Sequence, residues 1–422
     1  MSLEMPVPVT IERTDLPSGL TVVTEVVPGA RSANFGCWVR VGGRDELAGL
    51  AGASHFLEHL LFKGSATHSG REISEAIEAV GGELNAHTAH EHTAFYTRVP
   101  PAAGAIALDL LTDVVMSPAF DEDDVESERQ VILEELHLAE DEGDDRVLSL
   151  AHEALWGDHP LGREVLGSLA TIDAMDRDTI FGFFERHYHP ANLVLAAAGA
   201  VDHAEVVEAG ERFPARPVGD RPQRVGPVGG PPVAPISLLR RPLEQAHLAI
   251  AWPAISADDP DRYALSVCNQ ILGGGLSSRL FQEIREERGL AYSVFSSVAA
   301  YSDAGSIVAY AGTSPERVNE VRKLILETAA GLVANGVTDR EWEVAVGYLE
   351  GASLLGLEDS GSVMARLGNH VSAKNVVIPL EQQLVKLRAV TPQDVHRVAQ
   401  RLLSAEPAIC GVGPLTEHDL GA

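Results

Sequence analysis

Two histidines and a glutamate stand at a spacing that suits metal chemistry: His55-Phe-Leu-Glu58-His59, within residues 51–65. On a helix, positions i, i+3 and i+4 share one face. Both imidazoles can then reach one ion, with Glu58 beside them. Two imidazole nitrogens and one carboxylate make a zinc site with an open position for water. The pattern, H-x-x-E-H, is H-E-x-x-H in reverse. Phe56, Leu57, Leu60, Leu61 and Phe62 make the helix apolar nearly all round, so burial is expected. Two buried histidines beside a buried glutamate are costly unless paired or metal-bound. A solvated surface helix is the alternative, and it fits these neighbours less well.

A third ligand must come from another element. The acidic stretch 121–143 reads as a long helix and carries Glu128 and Glu135, two turns apart on one face. One could bind the ion while the other hydrogen-bonds a ligating histidine. The remaining acid on this helix reads as a solvated face. Three more histidines, His87, His90 and His92, follow Asn85. A single strand would put His90 and His92 on one face and His87 on the other, which argues against a second metal site. The triple glycine Gly273-Gly-Gly275 lacks the Lys-Ser/Thr ending of a phosphate loop and reads as a turn after a helix. Taken alone, Arg285 reads as a surface arginine and Tyr292 as an aromatic at a core edge.

The elements that hold these residues come from a chain of 422 residues, 45% hydrophobic and 22% charged. That length suits two to four domains with sizeable cores. No apolar stretch is long enough and free enough of charge to cross a membrane. The N-terminus, Met1-Ser-Leu-Glu-Met-Pro6, lacks the basic and apolar regions of a signal peptide. Cys37, Cys268 and Cys410 are too few and too scattered for a disulfide framework or a cysteine zinc site. They are expected to be buried thiols in a reducing cytoplasm. The net charge of −29 argues against a nucleic-acid partner. The acid is concentrated in residues 1–213, with 38 Asp and Glu against 13 Lys and Arg; residues 214–422 carry 23 against 19. This reads as a solvated acidic surface, with some preference for cationic ligands.

Residues 214–235 contain 11 Pro or Gly and read as an extended linker. The expected domains are therefore 1–213, holding the metal motif, and 236–422. Strands are expected near 20–27, 32–40 and 91–99 in the first part, and near 246–252, 292–300 and 305–312 in the second. Helices are expected at 48–62, 71–80, 101–116 and 121–143, then at 260–272, 277–287, 315–334 and 338–355. Strands that look antiparallel, mixed with long helices, give an α+β fold and suggest a twofold internal repeat.

His55-Phe-Leu-Glu58-His59 followed by Phe62-Lys-Gly-Ser65 resembles the zinc site of the inverzincin family of pitrilysin, insulin-degrading enzyme and mitochondrial processing peptidase. Glu135, 76 residues past His59, stands where that family places its third ligand. Gly42-Gly-Arg-Asp-Glu46, Gly81-Gly-Glu-Leu-Asn-Ala86, His159-Pro-Leu-Gly162 and Gly273-Gly-Gly-Leu-Ser-Ser-Arg-Leu-Phe281 match in the same order, so the likeness spans nearly the whole chain. The resemblance implies one Zn²⁺ per chain held by His55, His59 and Glu135, with Glu58 as general base. It settles the choice of Glu135 over Glu134 and Glu128, leaving Glu128 as the partner of a ligand. It implies two similar sandwich-like domains, mostly antiparallel sheet with helices packed on it, forming half of a clamshell.

The same resemblance assigns Asn85 and Ala86 to a strand edge that binds peptide. Arg285 and Tyr292, in the segment Arg285-Glu-Glu-Arg-Gly-Leu-Ala-Tyr292, would stabilise the oxyanion. Because the zinc motif and the Arg285–Tyr292 element occur on one chain, a homodimer with Arg285 and Tyr292 acting in trans is expected. The implied activity is hydrolysis of short or unfolded peptides, or of a precursor or targeting peptide, in a closed chamber. The alternative is a non-catalytic scaffold, or one subunit of a heterodimeric processing peptidase.

Overall fold

The computed structural model describes residues 10–216, 222–227 and 229–421. Along the chain the strands are β1 (Thr10–Asp15), β2 (Thr21–Val26), β3 (Ala33–Val39), β4 (Glu83–Thr88), β5 (Thr93–Val99), β6 (Leu193–Gly199), β7 (Ile236–Arg240), β8 (Ala246–Ala254), β9 (Ala291–Ala300), β10 (Gly305–Thr313) and β11 (Ala408–Gly413). The helices are α1 (Ala53–Leu61), α2 (Gly70–Glu78), α3 (Gly104–Met116), α4 (Glu122–Asp141), α5 (Gly143–Trp156), α6 (Leu169–Ala174), α7 (Arg177–His187), α8 (His203–Glu211), α9 (Arg262–Leu272), α10 (Val318–Asn335), α11 (Asp339–Leu355), α12 (Ser360–Lys374), α13 (Leu380–Arg388) and α14 (Pro392–Leu403).

The first compact unit takes the chain up to Glu134, then Glu164–Gln223 and Leu354–Ile378. Its sheet runs β1-β2-β6-β3-β5-β4, antiparallel except for the pair β2 and β6. β3 is buried at every position because helices cover both faces of the sheet. Phe35 lies against Gly104 of α3, while Trp38 lies against Gly368 of α12. Odd and even residues of a strand face opposite ways, so α3 and α12 sit on opposite faces. The core beneath α12 joins Val23, Trp38, Val194 and Ala196 to Val363, Leu367 and Val371.

The second unit takes Glu135–Arg163, Arg224–Ser353 and the chain from Pro379 on. Its sheet runs β7-β11-β8-β10-β9, with β7 and β11 parallel and the rest antiparallel. This is the order β2-β6-β3-β5-β4 of the first sheet, strand for strand, so the chain repeats one topology. α5 packs on this sheet and builds a core from Val147, Ala151 and Leu155 against Ala249, Val308 and Val412.

The fold is α+β, but the compact units are not the contiguous segments 1–213 and 236–422. The third helix after each inner hairpin, α5 in one half and α12 in the other, serves the sheet of the opposite half. A sheet with one bare apolar face needs a cover, and neither half supplies its own. The division within 214–235 falls at Gln223 and Arg224; residues 217–221 and 228 of that segment lie outside the described residues.

Locally, the helix expected over 48–62 is broken at Gly52, whose φ of +94° lies in the left-handed region. A side chain there would also meet the carbonyl oxygen of Leu166 at 2.6 Å. The segment expected as a helix at 277–287 holds a turn of π-helix over Phe281–Glu287. All three cysteines are buried and free, and burial pushes the Cys37 and Cys268 thiols up to about 12. Among the described residues no helix is long and apolar enough to cross a membrane.

Candidate metal centre

α1 begins where Gly52 lets the chain turn sharply. The buried carboxylate of Glu46 accepts from the backbone N–H of Gly52 at 2.7 Å and of Ser54 at 2.6 Å. It satisfies amides that a helix start leaves open, and its charge suits that end of the helix dipole. Phe56, Leu57, Leu60 and Leu61 then bury the helix in the core, while His55, Glu58 and His59 stay half-buried. The two imidazoles meet edge-on, with ring centroids 4.7 Å apart.

α4 runs unbroken from Glu122 to Asp141 and brings two carboxylates to this pair. His55, His59 and half-buried Glu135 offer ligand atoms that all lie within 4.8 Å of one another. Among the described residues this is the one such group of three. Two imidazole nitrogens and one carboxylate oxygen are a donor set that suits Zn²⁺. Burial, and then the neighbouring His59, lower the His55 pKa to about 4, so its ring is neutral near pH 7 and has a lone pair to donate.

Glu128, two turns before Glu135 on α4, is buried and takes the Nδ1–H of His59 at 3.0 Å. An ionised carboxylate only accepts, so the proton sits on Nδ1 and Nε2 is left for an ion. Lys63, just past α1, forms an ion pair with the same carboxylate. Glu128 is therefore neutralised on one oxygen and committed to a histidine on the other.

Glu58 is met from β4. The Thr88 hydroxyl donates to its Oε2 at 2.5 Å. The hairpin that carries Thr88 is tied to the segment before α1. The N–H of Gly43 donates to Ala89 O at 3.1 Å and that of Arg44 to His90 O at 2.8 Å. Arg44 also pairs with Glu91 at 2.5 Å, with the arginine side chain almost fully buried. Neither Thr88 nor Glu46 stands out in the sequence. Their only signal is a place within short motifs whose other members attract attention first.

The three histidines after Asn85 do not lie on one strand. The chain turns between Ala89 and His92, and β4 pairs antiparallel with β5, Asn85 opposite Tyr96 and His87 opposite Ala94. The turn brings together the two residues that a single strand would separate: His87 Nε2 and His92 Nε2 lie 3.3 Å apart. No third donor completes this pair among the described residues. Asn85 and Ala86 lie on β4, the edge of the first sheet, where the Ala86 N–H donates to Asn85 Oδ1 at 2.8 Å.

In the second unit, Arg285 sits in the π-helical turn with its guanidinium 4.8 Å from the Phe281 ring and 4.9 Å from the Tyr292 ring. Tyr292, near the start of β9, is 81% exposed, so it is not the core-edge aromatic that its sequence context suggests. Such wide turns are frequent at functional positions.

Comparison with known proteins gives a consistent picture. Residues 21–169 match the family model for insulinase (peptidase family M16), and residues 174–349 match that of the peptidase M16 inactive domain. An uncharacterized zinc protease of Streptomyces coelicolor is 42% identical over 97% of this chain and 90% of its own length. One from Mycobacterium leprae is 44% identical over 95% and 91%, and one from Bacillus subtilis 33% over 96% and 98%. Among solved structures, a protease from Helicobacter pylori superposes with a TM-score of 0.88 at 21% identity, covering 96% of this chain and 100% of that one. A peptidase M16 inactive domain from Pseudomonas fluorescens does so with 0.87 at 23%, covering 96% and 98%.

Proposed function

The chain belongs to the insulinase family, peptidase family M16, and from that premise we propose that it is a zinc-dependent endopeptidase acting on short or unfolded peptides. The observation that carries the reading is the convergence of His55, His59 and Glu135, with Glu58 on the same helix face. These three residues would hold one Zn²⁺ per chain. When bound, that ion supplies Lewis acidity, lowering the pKa of a water and polarising a carbonyl. Glu58 takes the proton of the attacking water and returns it to the leaving amine. Glu128 fixes the His59 ring, and Thr88 holds the Glu58 carboxylate in one orientation. A peptide adds to the free edge of β4 as one more strand, its backbone held at Asn85 and Ala86.

Arg285 and Tyr292 act on the substrate carbonyl from a second copy of the chain, stabilising the developing oxyanion. The stacking of half-buried Arg285 on Phe281 and on the exposed Tyr292 supports this part, because it pre-orients a cation. Light scattering is expected to give a mass of two chains of 44.9 kDa each. Co-expressing a Glu58→Gln chain with an Arg285→Ala chain should recover about a quarter of wild-type activity, since half of the dimers then carry one intact site. No recovery would place both elements in one chain.

The reading itself is tested with zinc-analysed protein and internally quenched peptides of graded length. One zinc per chain, cleavage lost on chelation and regained on adding zinc, is the expected result. Neither zinc nor cleavage would favour the non-catalytic scaffold. Cleavage confined to a single precursor or targeting sequence would make the enzyme a dedicated processing peptidase.

Thr88→Val is expected to lower kcat roughly tenfold, as befits losing one hydrogen bond to a charged group. KM and zinc content should hold, and Thr88→Ser should restore the rate. Equal kcat in Thr88→Val and wild type would remove Thr88 from the mechanism.

A further inference from the structure

We infer that the hollow between the β4–β5 hairpin and the first turns of α12 is a specificity pocket for a substrate side chain with a long apolar stem and a cationic end, arginine or lysine. The inference rests on the peptidase reading, and within it on the addition of peptide to β4.

β4 ends the first sheet, so one of its edges has no neighbouring strand among the described residues. Side chains alternate along it. Thr88 faces Glu58 on α1, and Ala86 and Leu84 share that face. Glu83, Asn85 and His87 therefore face the other way. On that side α12 covers β2, β6 and β3. Its N-terminal turns leave a hollow of about 310 Å³ beside β4 and β5. Trp38, Tyr96 and Met364 give it an apolar and largely buried floor.

Glu83, Arg98 and Asp359 line the same hollow. Arg98 and Glu83 are opposite one another across β4 and β5, yet Arg98 turns to Asp359, at 3.5 Å. Asp359 is further occupied in capping α12, accepting from the N–H of Ser362 at 2.9 Å. Among the described residues Glu83 has no ion-pair partner. The three charges sum to one negative, and the one left over is an exposed carboxylate. His87 also faces the hollow, and burial lowers its pKa, so it adds no positive charge near pH 7.

A peptide strand beside β4 alternates in the same way. Every second side chain turns from the metal face towards this hollow. The aromatic and thioether floor accepts methylene groups and favours a guanidinium near its rings. The rim carboxylate accepts the charged end. An acidic side chain would meet Glu83 and Asp359 and be disfavoured.

The test uses peptide pairs with arginine or its uncharged isostere citrulline at successive positions. Cleavage is measured with zinc-loaded wild type, and binding by anisotropy with the zinc-loaded Glu58→Gln variant. Arginine should be preferred about fivefold at alternate positions, which is near the upper worth of an exposed ion pair. In Glu83→Gln the preference should fall to near one. Ala365→Phe, which places a ring in the hollow, should weaken arginine and citrulline peptides alike, at least tenfold relative to alanine peptides. An unchanged preference in Glu83→Gln, or an equal loss for all peptides in Ala365→Phe, overturns the pocket. Cleavage without any arginine preference refutes the pocket and leaves the peptidase reading intact. Preferential binding without cleavage by wild type refutes the peptidase reading and leaves the pocket intact.

Discussion

Replacing Glu58 with glutamine is expected to lower kcat by roughly two to four orders of magnitude, the range that a positioned general base supplies. The substitution keeps the size and shape of the side chain, and the amide oxygen can still accept from Thr88. It removes the ability to take up a proton. The ion should be retained, because the residues proposed to hold it, His55, His59 and Glu135, are unchanged. The buried Glu128 that orients His59 is also untouched. The informative result is therefore a pair: zinc content equal to wild type, and peptide cleavage nearly gone. Metal analysis and single-turnover cleavage on the same preparation give both. A variant that cleaves within a few-fold of wild type would remove Glu58 from the role of base.

The second large effect is on stability. Trp38→Ala is expected to cost about 3–5 kcal/mol, as for other large aromatic truncations in a core. Trp38 is 1% exposed, and its ring fills the gap between β3 and α12. Glycines at 36 and 368 make room for it; a Cβ at either would run into the indole. Its Nε1–H donates to Asn369 Oδ1 on α12 at 2.9 Å. Truncation therefore leaves a cavity and removes the bond to Asn369, whose exposed amide turns to water instead. For a unit of this size the melting temperature should fall by about 6–20 °C, read by differential scanning calorimetry of the zinc-loaded protein. A shift under two degrees would mean that α12 is held by other contacts, such as the ion pair of Arg366 with buried Glu25.

The metal helix was readable in the sequence because its signal is local. Three residues at i, i+3 and i+4 within an apolar run constrain both conformation and chemistry. Glu135 was only half readable. Helix geometry left Glu128 and Glu135 equivalent, and likeness to a family chose between them; in the structure the two take different places, one beside both histidines and one behind His59. β6 went unread because Leu193-Val-Leu-Ala-Ala-Ala-Gly199 is buried throughout and has no period. β4 went unread for the opposite reason. As a polar edge strand it offers no apolar face, and it was merged with the turn and β5 into one strand. The exchange of α5 and α12 leaves no trace in either helix, since an amphipathic pattern records that a face is buried and not against what. Thr88 belongs to the same class: its partner lies 30 residues away.

The placement of α12 has a bearing on how the polypeptide is made. The first sheet is complete once β6 has left the ribosome, at Gly199, but its cover ends at Lys374. At typical translation rates the intervening stretch takes about 10–35 s to synthesise. During that interval Trp38, Val194 and Ala196 present an apolar surface with no helix over it. Closure of this core therefore waits on translation of nearly the whole message. The second sheet has no such delay, because α5 precedes every strand that it covers.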